Sequence, residues 1–309
     1  MKKIVWTLFL MHLSLSADVF DHLQPCQGKE EGAHSFGNID CVYLINLDEC
    51  KEKLQHCQDE CKVYNINPYR FSAIHRKNLS IEQLRDVAFQ VKRGIDPAQL
   101  GRLQCTYYTK EGEKEKIVHS LVGDPAVNSY FCHCIGKAAI AITLSHLSIL
   151  QDAYDSNYET IWVMEDDIII EKHPELLLRG IEELNKTYRD GWDVLFTDPD
   201  TVNSRGEPVP CCAVTQRPNS PLIYYNKESN RRIPISKGSN ITTVYYRYGA
   251  YSMIISRSGI KKILDFYKEN DIFLPYDMEY NSFIPLKKFA FRFNVVSHLV
   301  GARTDNYNY

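Results

Sequence analysis

The stretch TIWVMEDDIII (160–170) decides the reading of this chain. Ile161 to Met164 and Ile168 to Ile170 are apolar, as a buried strand requires. Between them stand Glu165, Asp166 and Asp167. Three carboxylates in an apolar strand are costly unless a cation compensates them. Oxygen ligands of this kind suit the hard ions Mg²⁺ and Mn²⁺, and such an ion can bridge two phosphates and neutralise a leaving group. The competing reading is an acidic strand end that faces solvent or pairs with Lys and Arg.

Working outward, CVYLINL (41–47) and WDVLFTD (192–198) are further continuous apolar runs. They are typical of strands buried on both faces. The segment from Glu49 to Cys61 reads as a helix, YRFSAI (69–74) as a strand and residues 80–93 as a helix. KAAIAITLSHLSILQDAY (137–154) and PELLLRGIEELNKTYR (174–189) carry apolar residues at helical spacing. VYYRYGAYSMIIS (244–256) reads as a strand pair or one bent strand with Gly249 at the bend. Ser258 is placed to cap the helix that follows. FAFRFNVVSH (289–298) reads as the last strand. Strands alternating with helices argue an α/β fold with a central, mostly parallel sheet. Ligands of such sheets sit beyond the carboxyl ends of the strands, where Asn46, the acidic triplet and Asp198 fall.

The 309 residues suffice for one large core, and the formal charge of −3 gives no reason to expect a nucleic-acid partner. MKKIVWTLFLMHLSLSA (1–17) has a basic start, a short apolar run and small residues, and reads as a signal peptide. No other stretch is apolar and long enough to span a bilayer, so no stable membrane span is expected after cleavage. Residues 18–39 read as an N-terminal extension and 40–309 as the main domain. Residues 76–130 read as an excursion from the core, and 199–240 as a long loop. Ten cysteines in an exported chain permit disulfides, with pairings that the sequence leaves open. No paired CxxC units point to zinc. Three Asn-x-Ser/Thr sequons, at Asn78, Asn185 and Asn240, are close to the chance level of about two.

Five segments in order resemble glycosyltransferase family 25, the lipooligosaccharide and procollagen galactosyltransferases. They are CVYLINLDE (41–49), LSHLSIL (144–150), IWVMEDDIII (161–170), YGAYSMIISRSGIKKIL (248–264) and LPYDMEYN (274–281). The resemblance covers about residues 40 to 300. It implies a GT-A-like nucleotide-sugar fold, a divalent ion (Mn²⁺ or Mg²⁺) and inversion at the anomeric carbon. It further implies transfer of galactose or glucose from a UDP-sugar to a glycan, lipooligosaccharide or protein. Asn46, Asp48, His146, Glu165, Asp166 and Gly249 would then lie at the nucleotide sugar. Asp167, with Glu165 in support and His298, would hold the metal. An inverting transfer needs one general base, for which Asp277 and Glu279 are the candidates. Asp277 fits the Pro-x-Asp turn better, and a plain turn or helix-cap aspartate is its alternative.

Two departures from the family pattern stand out. Glu49, Cys50 and Lys53 occupy the place of arginines after Asn-Leu-Asp. Ala141 and Ile142 replace a Gly-Cys pair before the Ser-His turn. Ser145 and His146 are adjacent on a helix and point apart, which argues against a nucleophile pair. Two other classes compete: a catalytically silent secreted sugar-binding module, and a metal-dependent hydrolase. Export bears on all of them. Nucleotide sugars are present in the secretory lumen of eukaryotes and are not normally available in a bacterial periplasm.

Overall fold

The strongest apolar runs became the centre of the sheet in the computed structural model. It describes residues 18–90, 105–108, 115–118, 129–132, 134–189, 191–203, 205–207, 209, 217–218 and 232–299. Residues 1–17, His133, Cys211 and Cys212 lie outside them, as do Gly101, Gly112 and Gly123. In chain order the strands are β1 (Cys41–Asn46), β2 (Tyr69–Ser72), β3 (Phe89–Gln90), β4 (Cys105–Tyr108), β5 (Glu115–Val118), β6 (Ser129–Cys132), β7 (Thr160–Glu165), β8 (Ile168–Ile170), β9 (Val194–Phe196), β10 (Ile241–Thr243), β11 (Ser252–Ser256), β12 (Lys288–Phe291) and β13 (Val296–His298). The helices are α1 (Lys51–Lys62), α2 (Ile81–Val87), α3 (Lys137–Asp155), α4 (Glu175–Thr187), α5 (Arg257–Asn270) and α6 (Tyr276–Ser282).

Seven strands form the central sheet, in the order β10-β12-β9-β11-β7-β1-β2. β1 pairs in parallel with both β2 and β7, and β12 with β9. β11 runs antiparallel to β7 and β9, and β10 to β12. The fold is therefore α/β with a mixed, partly parallel sheet, consistent with a GT-A-like architecture. Side chains of β1 alternate between two cores: Tyr43 and Ile45 on one face, Val42 and Leu44 on the other. Along β7 the alternation is Ile161 and Val163 against Trp162 and Met164. Burial of both faces explains why these strands read as unbroken apolar runs.

The apolar stretch 160–170 is not one strand. It turns at Asp166 and Asp167, and β8 leaves the main sheet to pair antiparallel with β13. The last segment likewise divides, with β12 in the main sheet and β13 in the small ribbon. Gly249 lies before β11, outside any strand. The cap of α5 is Ser256, whose Oγ accepts from the Gly259 N–H at 3.3 Å. Ser258 instead donates to Asp193 Oδ1 at 2.7 Å.

Residues 18–39 are loop-like, as expected, and pack on the same core. Val19 is fully buried, and Gln24 donates to Ser148 Oγ and to the Ser72 carbonyl. Within the excursion, α2 is followed by a second sheet in the order β3-β6-β4-β5. Cys57 and Cys61 are buried on α1. No helix among the described residues is long and apolar enough to cross a membrane.

Candidate active site

β1 and β7 are parallel neighbours, so their carboxyl ends bring Asn46 beside the acidic turn. Asn46 is buried and fully engaged. Its Nδ2 donates to Asp166 Oδ2 at 2.8 Å and to the Cys50 carbonyl at 3.0 Å, and its Oδ1 accepts from Arg70 Nε at 3.0 Å. Lys53 Nζ lies 3.6 Å from Asp166 Oδ1. Asn46 and Lys53 therefore fix Asp166 within the turn, and Asn46 acts by positioning it.

Glu165, the last residue of β7, faces α3. His146 Nε2 lies 3.0 Å from its Oε1. The imidazole is buried and stacks on the Tyr276 ring, with centroids 4.4 Å apart and planes at 18°. His146 thus ties the central helix, the acidic strand and the first residue of α6 together. Ser145 turns the other way, donating to the Ala141 carbonyl and accepting from the Ile74 N–H.

Asp277 follows Tyr276. Its Oδ2 accepts the Gly249 N–H at 2.9 Å, and Tyr280 donates to the Gly249 carbonyl at 2.7 Å. Gly249 adopts φ +84°, a region that residues with a Cβ seldom visit. A Cβ there would sit 2.7 Å from Thr201 Oγ1. The glycine therefore serves a tight turn that aligns Asp277. Burial pushes the Asp277 carboxyl above its ordinary value, the Gly249 N–H opposes that rise, and the charge of Glu165 adds to it.

Asp167 immediately precedes β8, and His298 is registered opposite Ile168 in the β8–β13 ribbon. The Leu299 N–H donates to the Asp167 carbonyl at 2.6 Å. Asp167 Oδ1 and His298 Nδ1 are both buried without a hydrogen-bond partner. Burial, then Glu165 and Asp166, pushes the Asp167 carboxyl up to about 7. A carboxylate oxygen and an imidazole nitrogen are both atom types that bind divalent cations. No group of three or more His, Cys, Asp or Glu able to hold a metal occurs among the described residues. Asp167 and His298 would be the residues to hold such a cation, which would supply positive charge beside a diphosphate. The Tyr251 ring packs on His298, with centroids 4.9 Å apart.

A cleft of about 240 Å³ opens over these strand ends. Glu165, Asp166 and Asp167 form one wall, and Lys53, Arg76 and Lys77 contribute cations to its lining. Ala141 and Ile142, the residues that depart from the family pattern, also line it. So does His146, whereas Gly249, Asp277 and His298 do not. Asp48 lies on the rim of a neighbouring hollow of about 520 Å³. There it is held by Arg70 and by Ser72 Oγ at 2.9 Å, and the Arg70 hydrogen bond depresses its pKa.

Glu279 is the second candidate base. It is fully buried, forms an ion pair with Arg217, and accepts the N–H groups of Phe273 at 2.9 Å and Leu274 at 2.7 Å. That carboxylate braces the turn before α6. Glu165, expected in support of the metal, has its Oε1 beside His146 Nε2.

Sequence reasoning missed three residues. Arg217 comes from the long loop, and Arg247 and Tyr251 hold the buried Asp198. Arg247 Nη1 lies 2.8 Å from Asp198 Oδ1, and its guanidinium stacks over Phe196 at 4.1 Å. The aromatic-rich run VYYRYGAY (244–251) was the available signal.

No curated protein matches the chain. Among solved structures, one titled "Crystal Structure of A197 from STIV" is similar at 14% identity, with a TM-score of 0.26. The similarity covers 49% of this chain and 63% of that one, and carries no argument about function. Residues 39–280 match a profile described as "Glycosyltransferase family 25 (LPS biosynthesis protein)". That span takes in the acidic turn, the His146 helix and the Asp277 turn, and the chain belongs to glycosyltransferase family 25.

Proposed function

We propose that this glycosyltransferase is an inverting, metal-dependent hexosyltransferase. It moves galactose or glucose from a UDP-sugar to a hydroxyl of a glycan, lipooligosaccharide or protein. With residues 1–17 acting as an export signal, its working compartment is a secretory lumen if the source is eukaryotic. If the source is bacterial, the compartment is the periplasm or the exterior.

The observation that carries this reading is the pair of orphaned atoms, Asp167 Oδ1 and His298 Nδ1, at the edge of the acidic turn. A hard divalent cation, Mn²⁺ or Mg²⁺, held there would neutralise charge on the diphosphate. Lys53, Arg76 and Lys77 offer further positive charge to the same group. Asp277 takes the proton of the acceptor hydroxyl as that oxygen attacks the anomeric carbon and the diphosphate departs. A carboxyl with a raised pKa suits that task, since a base works best with a pKa near the operating pH. Gly249 aims Asp277, and His146 holds Glu165 and Tyr276 in register beside it.

Calorimetric titration with UDP tests the assignment. Binding is expected in the presence of Mn²⁺, with at least a tenfold loss in Asp167→Ala. Equal affinity without metal and in the variant would remove the metal from the proposal.

A further inference from the structure

Outside the cleft, β6 ends at Cys132, the first residue of the sequence Cys132-His133-Cys134. Cys132 is fully buried, whereas Cys134 is exposed. Their Sγ atoms are 2.8 Å apart. The sulfurs need to close by only about 0.8 Å to reach bonding distance. We propose that Cys132 and Cys134 are a reversible dithiol–disulfide pair, oxidised by small-molecule disulfides.

The chemistry starts at the exposed partner. The Cys134 thiolate attacks a disulfide RSSR, forming a mixed disulfide and releasing RS⁻. Cys132 sulfur then attacks Cys134 sulfur and expels the second RS⁻, which takes up the proton that Cys132 loses. The balance is one protein dithiol and one RSSR giving one protein disulfide and two RSH. Burial pushes the Cys132 thiol well above its ordinary value, which leaves the first attack to Cys134.

The location gives the pair a structural setting. The Cys132 N–H donates to the Phe273 carbonyl at 2.8 Å, just before the turn that carries Asp277. Two residues after Cys134, Gly136 caps the helix that carries His146. The bond would therefore close the chain between β6, held to Phe273, and the helix whose Ala141, Ile142 and His146 line the cleft. A competitor exists, since the β4–β6 register sets Cys105 opposite Cys132.

Thiol mapping decides the matter. The full chain is incubated with glutathione disulfide, then denatured, alkylated and digested with trypsin. The peptide from Ile117 to Lys137 holds both cysteines. It is expected to be lighter by two hydrogen atoms, to escape alkylation, and to regain both thiols after dithiothreitol. Cys105→Ser is expected to behave the same way, while Cys134→Ser leaves Cys132 alkylated. Three results would overturn the proposal. Both thiols could remain alkylated after the oxidant. Cys132 could be found joined to Cys105. The thiols could be shielded by stoichiometric zinc and react only after chelation.

Discussion

Asp167 and His298 lie at the same end of the β8–β13 ribbon, where His298 is registered opposite Ile168 and the Leu299 N–H donates to the Asp167 carbonyl, and each has one buried polar atom without a hydrogen-bond partner among the described residues. The residues are separated by most of the second half of the chain. Only the separation of β8 from β7, at the Asp166–Asp167 turn, brings them together.

If these atoms serve one cation, removing either should damage transfer and spare the fold. Asp167→Ala and His298→Ala are each expected to cut sugar transfer by about 100-fold or more. Thermal melting without metal should stay near the wild type, since neither atom has a protein partner to lose. A large drop in melting temperature in both variants, with specific activity intact, would mark the pair as structural.

Asp277 and Glu279 are two residues apart on α6 and should separate cleanly. Glu279→Ala is expected to destabilise the protein by about 3–5 kcal/mol, because it strands the buried Arg217 charge. Asp277→Asn is expected to keep the fold and lower the turnover rate by about 100- to 10,000-fold. Denaturant melts beside steady-state kinetics test both. A foldable Glu279→Ala with no activity would reverse the assignment.

The pH dependence follows from the direction of the Asp277 shift. Burial raises its pKa in the folded state, so between the ordinary carboxylate value and the raised one the folded state binds more proton. Stability from this group is present at low pH and is lost as pH rises through that window. Activity should move the opposite way, climbing as Asp277 deprotonates. Asp277→Asn is expected to gain stability relative to the wild type as pH rises. A constant difference at every pH would mean that the shift is absent.

Gly249→Ala tests the turn that aims the base. A side chain at φ +84°, with its Cβ 2.7 Å from Thr201 Oγ1, is expected to cost about 1–3 kcal/mol. It should also lower the turnover rate more than it raises KM, because the Asp277 contact is disturbed. An Ala variant with wild-type kinetics would show that Gly249 is needed for chain geometry alone.

The sequence exposed this architecture unevenly. The apolar runs of β1, β7 and β9 were legible, because strands buried on both faces must be continuous. Their direction was not, because the pattern of Ser252–Ser256 is the same for either orientation, and β11 proved antiparallel. The split of 160–170 was hidden for a related reason: apolar residues resume at Ile168, although β8 belongs to another sheet. Asp166 and Asp167 looked alike in sequence, yet Asn46 and Lys53 engage the first, whereas Oδ1 of the second has no hydrogen-bond partner among the described residues. The Glu279 partner, Arg217, lies 62 residues away in a loop without periodicity, so no local signal marked that carboxylate as structural.

The most direct measurement is release of nucleotide from a panel of nucleotide sugars by the purified protein, with Mn²⁺ and with EDTA. The account expects metal-dependent release from UDP-galactose or UDP-glucose, abolished by EDTA and by Asp167→Ala. No binding or hydrolysis of any donor, or full activity in Asp167→Ala, would contradict it.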